Sequence, residues 1–199
     1  MAAKMITHFR PRFIVMAGIC AGVEGKVNYG DVILADPTWD YQSGKRVKDK
    51  EVTSFSIAPK QISAPNIVTS RVELLRRDAS VWSDIKRGWQ SAPQHDLRLV
   101  VGPLASGSAV LADGQAVQDI KLQHRNLVGI EMEAYGLYDA AAYAPNPQPN
   151  AIAFKSVCDF ADPDKKDSWQ AYASYTSAQT VRVFFERYMH GLTARSQHS

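Results

Sequence analysis

Short apolar runs alternate with segments of helical periodicity along this chain, and this alternation constrains the fold more than any other feature. The runs with strand character are 13–17, 32–35, 97–102, 128–131 and 151–157. The helical segments are 68–89, 115–123, 133–143 and a long one capped by Asp167 or Ser168. Alternating strands and helices are typical of layered α/β domains. We therefore expect a three-layer αβα fold with a central mixed, mostly parallel sheet.

Two stretches lack a clear pattern. The segment Gly18–Gly22 is too glycine-rich to predict regular structure, so we expect a loop there. The segment 39–63 is mixed in composition and supports no assignment. Pro37 is expected to end the second strand, and Gly191 is expected to end the last helix.

The size and charge of the chain exclude several classes of protein. Its 199 residues suit one domain, 1–199, and its formal net charge of +3 is too small to indicate nucleic-acid binding. The acidic residues Asp49 and Glu51 interleave with the basic run 44–50, which favours a solvated loop over a phosphate-binding patch. No apolar run approaches the roughly 20 residues of a membrane-spanning helix. We expect no membrane or nucleic-acid partner.

The cysteines and histidines predict neither disulfide, metal nor cofactor. Cys20 and Cys158 are the two cysteines, and each lies in an apolar or small-residue stretch typical of a buried thiol. Two cysteines are too few to staple a secreted scaffold, so we expect a cytoplasmic protein. The five histidines lack metal-ligand spacing. We expect no metal site and no cofactor.

Four short segments follow predicted strands and carry polar or glycine residues: 18–22, 106–111, 131–133 and 158–162. Ligands of open α/β folds bind outside the carboxyl ends of the strands. We therefore expect these segments to meet at one ligand site.

These segments resemble those of a known family in order and separation. Gly18–Gly22 (GICAG) and Tyr29–Asp36 (YGDVILAD) resemble the glycine loop and following strand of the purine nucleoside phosphorylase/nucleosidase superfamily. Ser106–Leu111 (SGSAVL) is similar to its base-binding loop, and Ile130–Ala134 (IEMEA) to its ribose-binding segment. Lys155–Asp162 (KSVCDFAD) is similar to its SD-x-AD segment. The resemblance is greatest to the methylthioadenosine/S-adenosylhomocysteine nucleosidase branch.

The resemblance implies a role for each matched residue. Asp159 is the acid that hydrogen-bonds or protonates N7 of the leaving purine. Glu133 binds the ribose hydroxyls, and Met132 packs against the sugar. Val110 and Leu111 line the base pocket. The resemblance thus implies cleavage of the N-glycosidic bond of a purine nucleoside.

The residue types fit that chemistry, although each has a plainer interpretation. A general acid at N7 assists departure of the electron-rich base, and a carboxylate accepts charge-assisted hydrogen bonds from ribose hydroxyls. Aspartate also stabilises turns, which is the plainer interpretation of Asp159. The plainer interpretation of Glu133 is an acid in the first turn of a helix, where it interacts favourably with the positive end of the helix dipole. Glu131 is either a second ligand contact or a surface ion-pair partner.

The first glycine segment bears on the choice of nucleophile. Phosphorylases of the superfamily carry an arginine and a serine around this segment to hold phosphate, and the matching places here are Met16 and Ile19. An apolar pair cannot neutralise a dianion, and burying an unpaired dianion is costly. We therefore expect water to be the nucleophile, with Ile19 lining the site; phosphate-dependent cleavage is the alternative.

The resemblance also implies a segment before the glycine-loop strand, and because that strand begins at Phe13 we expect the segment to be absent from this chain. One alternative is that the chain is a fragment of a longer protein. In the nucleosidase branch this segment carries the first strands and a glutamate that orients the attacking water. The fold is therefore expected to be shortened at its N-terminus, with an exposed sheet edge that a homodimer partner or a fused domain covers. The remaining alternative is a nucleoside-binding module of a larger protein without catalytic activity.

Overall fold

The computed structural model describes residues 1–49, 52–108, 114–161 and 167–193. In the first half lie helix α1 (Ala2–Phe9), strands β1 (Phe13–Gly22), β2 (Val32–Asp40), β3 (Gly44–Asp49) and β4 (Val52–Ile57), and helices α2 (Asn66–Arg76) and α3 (Ala79–Arg87). In the second half lie β5 (Leu99–Ser106), α4 (Gly114–Gln123), β6 (Gly129–Glu131), α5 (Ala134–Ala142), β7 (Asn150–Asp159), a short 3₁₀ helix (Asp167–Trp169) and α6 (Gln170–Thr193).

Five strands form one sheet that closes on itself in the order β1-β6-β5-β2-β7. The pairs β1–β7, β2–β5 and β5–β6 are parallel, whereas β1–β6 and β2–β7 are antiparallel. The predicted α/β class with a mixed sheet is therefore confirmed, while the three-layer arrangement stays a prediction. The expected exposed edge of this sheet is not found among the described strands, because the ring of pairings is closed.

Strands β1 and β2 are longer than predicted. The glycine-rich segment expected to be a loop continues β1 as far as Gly22, since β7 pairs along the strand and β6 pairs with its last residues. Strand β2 continues past Pro37 because its register with β5 shifts between Ala35 and Thr38, so no ladder hydrogen bond is required of the proline.

Other boundaries also differ from the sequence prediction. The segment 68–89 is two helices, because the Asp78 side chain accepts a hydrogen bond from the Ser80 N–H and starts α3. The basic run 44–50 contributes β3 to a two-stranded hairpin instead of a loop. Helix α6 continues through Gly191 to Thr193. Helix α1, where no element was predicted, packs against α5 through its buried residue Ile6.

Helices α5 and α6 cover the closed sheet and hold β7 in the core. Residues 151–158 of β7 are all buried. On one side Phe154 contacts Phe184 of α6, with ring centroids 5.7 Å apart. On the other, the Tyr138 hydroxyl of α5 donates to the Ala35 carbonyl at 2.9 Å and accepts from the Ala153 N–H at 3.3 Å. The end of β7 is therefore held in a fixed position. None of the helices in the described ranges combines the length and apolar character needed to cross a bilayer.

The turn before β2 depends on a glycine and a buried aspartate. Gly30 has φ +82°, and a Cβ there would lie 2.2 Å from the Tyr172 ring, so the turn requires glycine. Fully buried Asp31 accepts hydrogen bonds from the Asn28 N–H at 2.9 Å and from the Arg98 Nε at 2.8 Å. Gly30 and Asp31 of the Tyr29–Asp36 segment thus stabilise the fold.

We expect Asp31→Ala to lower the free energy of unfolding by about 3 kcal/mol, because it removes the acceptor of two partly buried backbone N–H groups, those of Asn28 and Arg98, and an ion pair with one buried partner. Urea unfolding followed by circular dichroism measures the change. Asp84→Ala is the matched control, since Asp84 pairs with Arg87 at an exposed position, and it should change stability little. Equal stability of wild type and Asp31→Ala would contradict the prediction.

Candidate active site

A cavity of about 550 Å³ opens where β1, β6 and β7 end. Its wall is formed by residues 16–21 of β1, residues 130–133 from β6 to the N-cap of α5, and Lys155, Cys158, Asp159, Ala161 and Gln170. The antiparallel pairing of Ala21 with Ile130 brings the ends of β1 and β6 together. The parallel pairing of Ala21 with Asp159 adds the end of β7. Three segments distant in sequence thus meet at one place.

The structure brings most of the predicted site residues together around this cavity. Asp159, Glu133, Met132, Glu131 and Ile19 all line it. Met16, predicted to lie where a phosphorylase holds phosphate, also lines the cavity. Two predicted base-pocket residues, Val110 and Leu111, lie outside the described residues, as does Asp162.

Glu131 is a buried carboxylate with several partners. It accepts hydrogen bonds from the Ser106 hydroxyl, from the Glu133 N–H at 3.0 Å and from the Ala134 N–H at 2.9 Å. Its Oε2 also lies 2.7 Å from Lys155 Nζ. Burial alone would raise the pKa of Glu131, but the charge of Lys155 and the hydrogen bonds outweigh it and lower the pKa. The ion pair considered from the sequence therefore exists, but it is buried and fixes the start of α5.

Lys155 joins the two glutamates and was not predicted as a site residue. Its side chain is 4% exposed, and Nζ lies 2.7 Å from both Glu131 Oε2 and Glu133 Oε2. Burial alone would lower the pKa of Lys155, but the charges of Glu131 and Glu133 raise it. The lysine side chain passes over Gly18, where a Cβ would lie 3.1 Å from Nζ. A single lysine within the apolar run 151–157 was the available signal, since a buried ammonium requires a carboxylate partner.

Glu133 combines a held carboxylate with access to the cavity. Its side chain is 58% exposed, although Oε2 is bound by Lys155. Its backbone stands at the N-cap position of α5, but its side chain makes no capping hydrogen bond. The Glu133 side chain therefore does not cap the helix, and its Oε1 has no protein partner within the described ranges. The geometry leaves one carboxylate oxygen for a ligand.

Asp159 lies at the end of β7 and both lines the cavity and stabilises a turn. Its Oδ1 accepts the Ala161 N–H at 2.8 Å, and Ala161 has φ 54°. Its Oδ2 lies 3.4 Å from the sulfur of Cys158. The Asp159 side chain therefore stabilises the backbone at Ala161, and its carboxylate remains beside the cavity.

The charge of the cavity is negative. Its described lining carries three carboxylates, of Glu131, Glu133 and Asp159, and one cation, Lys155. That cation is shared between two carboxylates at 2.7 Å. Met132 is 44% exposed at the cavity and provides an apolar surface. No group of three or more histidine, cysteine or acidic side chains that could hold a metal ion occurs in the described part of the chain.

Comparison with known proteins identifies the family. Residues 1–188 match the family model described as the phosphorylase superfamily, and the chain belongs to that superfamily. It is 38% identical over 187 residues to uncharacterized protein y4jS of Sinorhizobium fredii, a match covering 94% of this chain and 45% of that protein. It is 25% identical to the death domain-containing ATP nucleosidase of Amphimedon queenslandica, covering 89% of this chain and 34% of that protein. The chain thus spans less than half the length of these two relatives.

The fold is shared with solved structures. A crystal structure of 5′-methylthioadenosine/S-adenosylhomocysteine nucleosidase from Helicobacter pylori superposes with a TM-score of 0.71 at 13% identity. The match covers 94% of this chain and 73% of that one. At this identity, the likeness establishes the fold and leaves the chemistry to the residues of the cavity.

Proposed function

We propose that this chain provides the site for hydrolytic cleavage of the N-glycosidic bond of a purine nucleoside. The observation that carries the proposal is that Asp159 and Glu133, 26 positions apart and on different strand ends, line the same cavity. Nucleosidase activity in the names of the Amphimedon queenslandica and Helicobacter pylori proteins supports it.

The two carboxylates suit the two halves of the departing molecule. Cleavage leaves an electron-rich purine, and Asp159 acts as the general acid at N7, an effect of about 10²–10⁴-fold. Cleavage also leaves positive charge on the ribosyl group, which the Glu133 carboxylate offsets while accepting hydrogen bonds from the ribose hydroxyls. Met132 packs against the sugar. Lys155 holds one oxygen of Glu133 and so directs the other toward the cavity.

Water is the proposed nucleophile because the cavity disfavours phosphate. Met16 and Ile19 are apolar, and Lys155, the cation of the described lining, is already shared between two carboxylates. Bringing a phosphate dianion beside three carboxylates without a further cation is electrostatically unfavourable.

A nucleoside-binding module without turnover is the second candidate. The described lining offers no carboxylate beyond Glu131, Glu133 and Asp159 to activate water. Glu131 is engaged by its protein partners, and the other two have roles in the proposed reaction. The lack of a further carboxylate in the described lining is the observation that favours binding of a nucleoside without its cleavage.

The setting of the site is also proposed. The relatives are longer than this chain, which supports a site that works within a larger polypeptide, and a homodimer is the alternative setting. Cys20 and Cys158 form no disulfide in the described structure, which supports a cytoplasmic location. The proposal includes a three-layer arrangement in which helices cover the closed sheet on both sides.

Turnover assays test the function directly. The protein is incubated with methylthioadenosine, S-adenosylhomocysteine, adenosine, inosine or ATP, with and without phosphate, and free base is measured by chromatography. We expect release of base at the same rate with and without phosphate. Release that requires phosphate would establish the phosphorylase instead, and calorimetric binding without release would establish the binding module.

A further inference from the structure

We propose that Cys20 and Cys158 form an oxidisable dithiol in the wall of the candidate active site, which a hydroperoxide converts into a disulfide that displaces Asp159. They are the only two cysteines in the sequence and stand 138 positions apart, yet both line the same cavity. The consequence for Asp159 rests on the proposed function, whereas formation of the disulfide does not.

The strand register places the two cysteines side by side. β1 and β7 are parallel, with Cys20 opposite Val157 and Ala21 opposite Asp159. Cys158 is therefore the extra residue of a bulge and faces the step from Cys20 to Ala21. Its sulfur lies 3.5 Å from the Cys20 carbonyl oxygen. Paired residues on neighbouring strands lie about 4.8 Å apart, and Cys158 follows Val157, the partner of Cys20, by one residue, which places it near the Cα separation of about 4.4–6.8 Å that disulfides span. The backbone spacing thus fits a disulfide.

Oxidation by hydrogen peroxide balances without a further reactant. One thiolate attacks a peroxide oxygen, the O–O bond breaks, and the products are a sulfenic acid and hydroxide, which becomes water by taking up the proton that the thiol lost. The second thiol then attacks the sulfenic sulfur, the S–O bond breaks, and a second water leaves as the S–S bond forms. Two thiols are oxidised and one peroxide is reduced to two waters. Both cysteines line the cavity, so a peroxide that enters it comes beside them, although each cysteine is only 3% exposed.

The charges around Cys20 set the pH dependence of the reaction. Burial raises the pKa of the Cys20 thiol well above its ordinary value, Cys158, Glu131 and Asp159 raise it further, and Lys155 opposes them. The thiolate is therefore scarce near neutrality. Below that pKa its fraction rises about tenfold for each pH unit, so oxidation should be slow at pH 7 and faster in alkaline buffer.

The disulfide would change the surroundings of Asp159. In the thiol form the Cys158 sulfur lies 3.4 Å from Asp159 Oδ2 and can donate to it. Disulfide formation removes that donor and draws Cys158 toward β1. Because a displacement of about 1 Å in a catalytic group costs on the order of 10²-fold in rate, we expect the oxidised protein to lose turnover by that factor.

Mass spectrometry of the intact chain tests the proposal without relying on activity. The protein is treated with hydrogen peroxide at pH 7 and pH 8.5, denatured, and alkylated. We expect a species lacking two hydrogen atoms and unreactive to alkylation, formed faster at pH 8.5, and a cross-linked peptide pair containing residues 20 and 158. Dithiothreitol should restore both thiols and turnover. Separate addition of oxygen to each cysteine, or disulfides between two chains, would overturn it.

Single variants provide the matched controls. Cys20→Ser and Cys158→Ser each leave one thiol, so peroxide should add oxygen to the remaining sulfur and never remove two hydrogen atoms. If wild type forms the disulfide but the reduced protein shows no turnover, the proposed function fails and the dithiol stands. If the reduced protein turns over nucleosides and no disulfide forms, the dithiol fails and the proposed function stands.

Discussion

We expect Asp159→Asn to reduce kcat for nucleoside cleavage by about 10²–10⁴-fold while changing nucleoside binding little. The asparagine keeps the shape of the side chain and an oxygen that can accept the Ala161 N–H, so the turn after β7 is retained. It lacks an acidic proton for N7 of the leaving purine. Initial rates of base release, with nucleoside binding measured by calorimetry, separate the two effects.

Glu133→Ala is the matched control in the same cavity. It removes the acceptor of the ribose hydroxyls, each charge-assisted hydrogen bond contributing about 1.5–3 kcal/mol, so binding of ribosides should weaken by more than about tenfold. Binding of the free base should not change. If Asp159→Asn leaves kcat intact, or if Glu133→Ala weakens base and riboside equally, the division of roles between the two carboxylates is wrong.

Placement of these two residues in one cavity was predictable from sequence. Asp159 ends one apolar run and Glu133 follows another, and ligands of α/β folds gather at strand ends. The ordered motifs added the family. The Lys155 bridge was missed because its partners lie at the end of β6 and at the N-cap of α5, 24 and 22 positions earlier in the chain. Helical and strand periodicity reports which face a residue occupies, and it carries no information about which distant side chain is opposite.

For a similar reason, closure of the sheet could not be predicted from the sequence. It depends on the antiparallel pairing of β1 and β6, in which Ala21 is opposite Ile130 and Gly22 opposite Gly129. Gly22 and Gly129 have no Cβ, and side chains of other elements, such as Val157 and Leu104, pack where a Cβ would lie. Glycines that indicate a loop in the local pattern therefore belong to a strand in the folded chain. Local composition cannot distinguish these two uses of glycine, because the partner strand decides between them.

Removal of the buried charge of Lys155 is expected to cause the largest loss of stability among these substitutions. We expect Lys155→Met to lower the free energy of unfolding by about 3–5 kcal/mol, because it leaves the Glu131 carboxylate, 1% exposed, without a cation. Methionine is of similar length and apolar, so packing is largely kept. Urea unfolding measures the change. Lys155→Arg, which keeps the charge, should lose less, and a loss below about 1 kcal/mol for Lys155→Met would contradict the prediction.

The double variant Lys155→Met/Glu131→Gln separates charge from packing, since it removes both buried charges and should recover part of the stability lost by Lys155→Met alone.

The wild-type Lys155–Glu131 ion pair also sets the pH range over which it stabilises the folded protein. The folded-state pKa of Glu131 lies below its ordinary 4.5, so its contribution is present above pH 4.5 and is lost as pH falls through the folded value. The pKa of Lys155 lies above its ordinary 10.5, so its contribution is present below pH 10.5 and is lost as pH rises through the folded value. Unfolding free energies of the double variant should therefore decline less than those of wild type toward both extremes, and parallel curves for the two proteins would show that the pair does not set this window.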